Sequence, residues 1–339
     1  MIDFLPKISY YNIGIMYSKR AKSKYRTHIR RKRLIFFAVV LVVAGGVAAA
    51  FVQTAGRFTG SARVDRKALL QLWESGSYDE VFYQTQAALD ALPMDYFLLT
   101  MRGFSAYQLG ISQINSMNAQ QYFDDCIWSL RRALLLKNSE HDGRLYYVLG
   151  KAYRYKGDSY ADLSVKNLEK ARELSYNAAD IPEYLGLAYA SIGDYRSSVA
   201  SFAEALVAQS PGAGFPEPSS GERSPGLLLF SIARSYFALD EFEQARAYLQ
   251  RCIDVSPDSR TILSARLMLS EILRKAGDND GARKQLMDIL VDTDGNAEAH
   301  YQLGELYALQ GESVRARAEW RLALRVDPMH QRARTRLSM

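Results

Sequence analysis

Cysteine and histidine are scarce in this chain of 339 residues, which contains two cysteines and four histidines. Its two cysteines form no C-x-x-C pair, so neither a disulfide framework nor a cysteine-based metal or redox motif is indicated. No histidine belongs to an H-E-x-x-H motif, and no G-x-S-x-G, Walker A or G-x-G-x-x-G sequence is present. The sequence therefore predicts a protein that is not an enzyme and has no metal site and no cofactor.

Acidic residues are almost absent from the first 33 residues, which contain ten lysines and arginines and a single acid, Asp3. This segment carries a net charge of +9, and because the whole chain carries +6, the remainder carries −3. A basic chain usually favours nucleic-acid binding. Here the basic charge is confined to a short tail, and the rest lacks the positive surface that a phosphate backbone requires. We therefore expect no nucleic-acid partner.

Charged residues are missing from residues 34–52, LIFFAVVLVVAGGVAAAFV, a run of nineteen. As a helix this run would extend roughly 28 Å, close to the thickness of the hydrocarbon core of a bilayer. A basic cluster at 30–33 directly precedes it, so the positive-inside rule places the basic tail 1–33 in the cytoplasm. We expect a single-pass protein of the inner (cytoplasmic) membrane, with a linker at 53–61 and the remaining chain in the periplasm.

The apolar run has two other possible roles. Ala48, Ala49 and Ala50 provide the small residues of a signal-peptide cleavage site, although the basic lead and the apolar run are both long for a signal peptide. A start at Met16 would shorten that lead. Small residues four apart, such as Gly45 and Ala49, either allow two membrane helices to pack closely and the protein to self-associate through the span, or are ordinary residues of a membrane helix.

An internal repeat occupies the residues after the linker. Near the end of the chain, steps of 3, 4, 5, 4, 3 and 5 residues separate Gly304, Tyr307, Gly311, Ala316, Trp320, Ala323 and Pro328. Comparable series begin at Leu69, Gly186, Ala233 and Ser270. Steps of three and four keep side chains on one face of a helix. A central glycine ends the first helix, and the final proline ends the second.

This pattern resembles the tetratricopeptide repeat, a helix-turn-helix unit of 34 residues. The resemblance implies an all-α fold, a right-handed superhelical solenoid of helical hairpins over residues 62–330. We place repeats at 62–95, 96–142, 143–178, 179–212, 226–259, 263–296 and 297–330. A loop rich in Pro, Gly and Ser separates two repeats at 213–225, and about eleven extra residues near Ile111–Gln121 separate the helices of the second repeat.

Members of this repeat family hold peptides or partner proteins on a concave face lined by the first helices. Carried onto this chain, the resemblance implies a groove lined by Phe97, Phe104, Tyr107, Arg144, Tyr147, Lys151, Arg154, Tyr155, Phe230, Arg234 and Phe237. Aromatic rings among exposed cations suit an acidic segment or a C-terminal carboxylate, although the asparagines of the carboxylate-clamp subgroup are missing. These side chains have a second interpretation, in which they pack between neighbouring repeats.

Several other residues occupy packing positions of the repeat. Cys126, Cys252 and His300 fall on such positions, so we expect them to be buried or partly buried and the cysteines to be unpaired. The final segment, 331–339, places Ala333 and Leu337 at helical spacing. It is either a minimal cap over the last hairpin or an end that another copy or a partner completes.

Two functions are compatible with this organisation. The first is a membrane-anchored scaffold for protein–protein interaction that recruits partners to an envelope complex. The alternative is a chaperone-like or regulatory receptor that binds peptides of exported proteins.

Overall fold

The computed structural model describes residues 65–114, 117–136, 141–208, 224–292 and 295–338. Over these ranges the chain forms fifteen α-helices, with a 3₁₀ turn at Asp158–Tyr160, and no strand. The predicted basic tail (1–33), apolar span (34–52) and linker (53–61) lie outside the described residues, as does most of the predicted loop 213–225. Among the helices that are described, none is both long and apolar enough to cross a membrane.

The helices are numbered here in chain order. They are α1 (Arg66–Glu74), α2 (Tyr78–Ala91), α3 (Tyr96–Ser112), α4 (Ala119–Ala133), α5 (Gly143–Lys156), α6 (Ala161–Glu173), α7 (Ile181–Ser191), α8 (Tyr195–Ala208), α9 (Pro225–Ala238), α10 (Phe242–Val255), α11 (Ser259–Lys275), α12 (Asn279–Asp292), α13 (Ala297–Leu309), α14 (Ser313–Val326) and α15 (Gln331–Ser338). Each packs against the next along the chain, so α1 to α14 form seven hairpins and α15 follows the last one. The predicted all-α solenoid is confirmed over the described residues.

The turns within the hairpins explain the repeated glycine. Gly193 and Gly311 have φ values of +81° and +79°, and Asp240, at the same repeat position, has φ +58°. Only glycine adopts this left-handed conformation without a steric cost, which is why it ends the first helix. The second repeat differs, because α3 continues past Gly110 to Ser112. Residues 113–118 separate its two helices, fewer than the eleven or so that the sequence predicts.

Small residues allow the two helices of a hairpin to approach closely. A Cβ added at Gly186 would lie 2.6 Å from Cδ1 of Phe202, and one at Gly304 would overlap the indole of Trp320. Both glycines hold the first position of the repeated series, and both rings hold the fifth. The spacing seen in the sequence therefore reflects direct contact between two helices.

The array continues across the predicted loop 213–225. Phe202 of α8 packs in one buried cluster with Leu228 and Ile232 of α9, and the hydroxyls of Ser198 and Ser235 lie 3.0 Å apart. The helix begins at Pro225, one residue before the predicted repeat, because proline is well suited to the first turn of a helix.

The first helices of successive repeats lie side by side. Helix α3 contacts α5, which contacts α7, and helix α9 contacts α11, which contacts α13. Side chains on these helices therefore share one face of the array, which we call the inner face.

Helix α15 docks as the minimal cap. Ala333 is fully buried in a cluster with Tyr301 and Trp320, and Trp320 is only 8% exposed. Arg336 also forms an ion pair with Glu305 of α13, with 2.6 Å between Nη2 and Oε2. The cap therefore binds the last hairpin through its two apolar residues and through ion pairs formed by its arginines.

Candidate partner-binding surface

The eleven residues of the predicted groove lie on three first helices of the array. Phe97, Phe104 and Tyr107 are on α3, five residues from Arg144 to Tyr155 are on α5, and Phe230, Arg234 and Phe237 are on α9. Contacts within the protein, rather than burial, distinguish the α5 group from the α9 group. The α5 group is largely occupied by contacts within the protein, and the α9 group is open.

Lys151 is buried, whereas the predicted groove required an exposed cation at this position. Its side chain is 11% exposed and its Nζ lies 2.8 Å from Oδ2 of Asp180 on the adjacent repeat, whose side chain is 6% exposed. The hydroxyl of Tyr147 also donates to Asp180 at 2.8 Å. Since the ammonium and the carboxylate already satisfy each other, Lys151 is not available to a partner.

Tyrosine rings enclose this buried ion pair. The Nζ of Lys151 lies 4.5 Å from the ring centroid of Tyr184, 4.9 Å from that of Tyr147 and 5.6 Å from that of Tyr107. Desolvation by burial raises the pKa of all three phenols well above the ordinary value. These phenols therefore remain neutral over the physiological range, and the rings surround the ammonium as cation–π partners.

Other aromatic groove residues also pack between repeats. The Tyr155 ring stacks on Phe123 with 5.0 Å between centroids, and its hydroxyl lies 2.9 Å from that of Tyr184. On α3, the Phe104 ring centroid is 6.3 Å from that of Trp73. For these side chains the packing interpretation describes the structure better than the groove interpretation.

Both remaining cations in the α5 group have acidic partners. Arg144 donates to both carboxylate oxygens of Asp142, from Nε at 2.9 Å and from Nη2 at 2.6 Å. The same hydrogen bonds lower the pKa of Asp142 below its usual range. Arg154 lies 3.5 Å from Asp158 in an exposed pair. The α5 group thus offers a partner little unpaired charge.

The α9 group forms an open surface of mixed apolar and basic character. Arg234 is exposed and has no ion pair among the described residues. Phe230 and Phe237 are half-buried on the same helix face, and Leu227, one turn earlier, is 40% exposed. Together these four side chains present a cation between apolar groups.

Helix α11 extends this surface with a residue absent from the predicted groove. The Nζ of Lys275 lies 4.6 Å from the ring centroid of Phe237 and 5.0 Å from that of Phe242. A carboxylate of Glu271 is 3.7 Å away, which is a loose exposed pair. Lys275 is the thirteenth residue of the predicted repeat at 263–296, the position that the groove residue Tyr155 holds in the repeat at 143–178, so the sequence contained this signal. We define the open surface as Leu227, Phe230, Arg234, Phe237 and Lys275.

Both cysteines and His300 lie at buried or largely buried positions. Cys126 and Cys252 are fully buried and unpaired, and desolvation raises the pKa of the Cys252 thiol to about 11. His300 lies 2.7 Å from Glu319, with 12% of its side chain exposed. Within the described ranges no group of three or more His, Cys, Asp or Glu residues is arranged to hold a metal ion.

A cavity of about 410 Å³ lies away from the open surface, at the ends of helices α6 and α8 and the start of α7. Tyr176, Ile181, Pro182 and Val207 contribute to its largely apolar wall. Arg172 also lines it but is already paired with Glu169. The wall of the cavity is therefore largely apolar, and its arginine is already paired and not free to orient a ligand.

Comparison with known proteins identifies the repeat. Models of the tetratricopeptide repeat match residues 228–259 and 267–328, in the part of the chain that contains α9 to α14. This chain therefore contains tetratricopeptide repeats. Among curated proteins it is similar to anaphase-promoting complex subunit CDC16 of Saccharomyces cerevisiae, with 36% identity over 85 residues, which are 24% of this chain. The chain spans about 10% of that relative's length.

Solved structures support the fold. The C-terminal part of a TPR repeat-containing protein from Cytophaga hutchinsonii has a TM-score of 0.55 and 14% identity, covering 81% of this chain and 100% of that one. PilW, a type IV pilus biogenesis factor, has a TM-score of 0.52 and 17% identity, covering 69% and 98%. At such identities the likeness establishes a shared helical-repeat architecture and carries no functional argument.

Proposed function

We propose that this protein is a non-enzymatic scaffold that is anchored in the inner membrane by residues 34–52 and binds protein partners through its repeats in the periplasm. The observation that carries the binding role is the open surface on α9 and α11. The uncharged run behind a basic tail supports the anchor and its orientation. Similarity to a subunit of a multiprotein complex agrees with a role in assembly.

The chemistry of the open surface favours an acidic, partly apolar segment. Arg234 and Lys275 provide positive charge, while Leu227, Phe230 and Phe237 provide apolar contact. A partner carboxylate near Arg234 gains a charge-assisted hydrogen bond. Aromatic anchors beside a cation are a frequent composition of binding hot spots.

A peptide-binding experiment tests this assignment. Fluorescent peptides with constant apolar content and either acidic or basic charge are titrated against the full chain in neutral detergent. We expect the acidic peptides to bind, the affinity to fall with salt, and Arg234→Glu to weaken binding roughly tenfold. Arg246→Glu is the matched control, because Arg246 is also exposed and has no ion pair among the described residues. Equal effects of the two changes would reject the open surface.

The alternative function, a receptor for peptides of exported proteins, is separated by crosslinking in cells. A photo-crosslinking amino acid is placed at Leu227, which is exposed beside Arg234. Fixed partners in constant ratio support the scaffold, whereas a heterogeneous set of exported proteins supports the receptor.

Membrane orientation needs its own test. Reporter fusions are placed before residue 30 and after residue 338, with one reporter active only in the cytoplasm and the other only in the periplasm. We expect cytoplasmic activity for the first fusion and periplasmic activity for the second. The reverse pattern would reject the proposed orientation.

A further inference from the structure

The outer face of α2, in the first repeat, is acidic and exposed. Asp79, Tyr83, Gln86 and Asp90 are three or four residues apart and therefore lie on one side of the helix. Tyr83 is 64% exposed, and Asp79 has no ion pair among the described residues. The helix contains three acids and no base.

The outer face of α14, in the last repeat, has the opposite charge. Arg317, Arg321 and Arg325 follow at four-residue steps and are all exposed. Arg317 donates to the carbonyl of Leu337 at 3.4 Å, while Arg321 and Arg325 have no ion pair within the described ranges. The one acid of this helix, Glu319, already contacts His300. The exposed charge on α14 is therefore positive.

The second helices between these two lack this separation of charge. Helices α4, α6, α8, α10 and α12 each expose both acidic and basic side chains. A single sign of exposed charge thus occurs on the second helix of the first repeat and on that of the last. Mixed charges favour solvation, whereas a face of one sign favours a partner of the other sign.

We propose that the α14 face of one copy binds the α2 face of a second copy of this chain. The faces have comparable lengths, about 16 Å from Asp79 to Asp90 and about 12 Å from Arg317 to Arg325 at the helical rise. Tyr83 lies between the acids, where an arginine from the partner can stack on its ring. The same chain supplies both signs, and this complementarity is why a second copy is the occupant that we assign.

The contact joins two different surfaces, so it closes when two copies exchange both faces or when several copies form a ring, and it otherwise leaves one acidic and one basic face free for further copies. In each case association increases with protein concentration. Exposed ion pairs contribute little individually and are screened by salt. The association is therefore weak and is strongest at low ionic strength.

Charge reversal of each face tests the contact. The full chain in neutral detergent is measured by sedimentation over a range of concentrations, at low and high salt. The acidic face is reversed by Asp79→Lys with Asp90→Lys, and the basic face by Arg321→Glu with Arg325→Glu. We expect either pair to weaken low-salt association roughly tenfold. The four changes together should restore it, because the faces are again complementary.

The chain provides a closely matched control. Glu243 and Asp254 of α10 occupy the same second and thirteenth helix positions as Asp79 and Asp90 of α2, and are also exposed. Changing both to Lys should leave the association unchanged.

Several outcomes would overturn the inference. Examples are a wild-type mass that does not rise with concentration at low salt, or a four-residue variant that does not recover association. Sensitivity to the arginine reversal without sensitivity to the acidic reversal would indicate a different acidic partner. A constant dimer in every variant would indicate association through residues 34–52 instead.

Discussion

Replacing Lys151 with Met tests the buried ion pair on the inner face. The methionine keeps most of the aliphatic stem within the tyrosine rings but removes the ammonium, so the carboxylate of Asp180 remains buried without its counter-ion. Both side chains are almost inaccessible, at 11% and 6% exposure. Removing one partner of a buried ion pair costs about 3–5 kcal/mol, because the remaining charge is desolvated and uncompensated.

Arg234→Met provides the matched control. Arg234 occupies the same position in its predicted repeat as Lys151, but it is exposed and unpaired among the described residues. This change should alter the free energy of unfolding by no more than about 0.5 kcal/mol. The comparison therefore isolates burial and pairing from the loss of a cation at that position.

A double variant separates the charge from the packing. Lys151→Met with Asp180→Asn removes both charges, so we expect it to be clearly more stable than Lys151→Met alone. The free energy of unfolding is measured by denaturant titration of the full chain in neutral detergent. Hydrogen exchange then locates the loss, which should centre on α5 and α7 because solenoid repeats couple mainly to their neighbours. If Lys151→Met costs no more than Arg234→Met, the buried pair does not form as described.

Three further predictions concern stability. Gly304→Leu should destabilise the last hairpin by about 1–3 kcal/mol, because its side chain overlaps Trp320, and hydrogen exchange should show the loss confined near the end of the array. Raising the pH above about 10 should unfold the wild type, because burial raises the pKa of Tyr107 in the folded state above its pKa in the unfolded state. Such a phenol stabilises the fold below its unfolded-state pKa, and this stabilisation is lost as the pH rises towards the folded-state pKa. Tyr107→Phe should therefore lose less helical signal in circular dichroism at high pH. Ala333→Asp should undock the cap and shift tryptophan fluorescence towards that of exposed indole, whereas Thr335→Asp on the exposed side should not.

The solenoid was predictable because its determinants are local. The left-handed turn residue, the small residue opposite a ring and the helical step of three or four are all visible within one repeat. Gly304 and Trp320, for example, lie 16 residues apart and meet within one hairpin. The end of α3 was less predictable, because Gly110 can either end a helix or, as here, remain helical and pack against Phe123.

On the inner face, the position of a side chain follows from the sequence, whereas its exposure depends on the neighbouring repeat. Repeat position placed Lys151 and Arg234 on the same face, and this follows from helical periodicity alone. Their exposure depends on the next repeat, where Asp180 lies opposite Lys151 and binds it. The repeat after Arg234 instead contributes Lys275, a second cation, beside Phe237. A side chain in a solenoid is exposed or buried according to the residues of the adjacent repeat, so the three-dimensional arrangement decided which cations remain available to a partner.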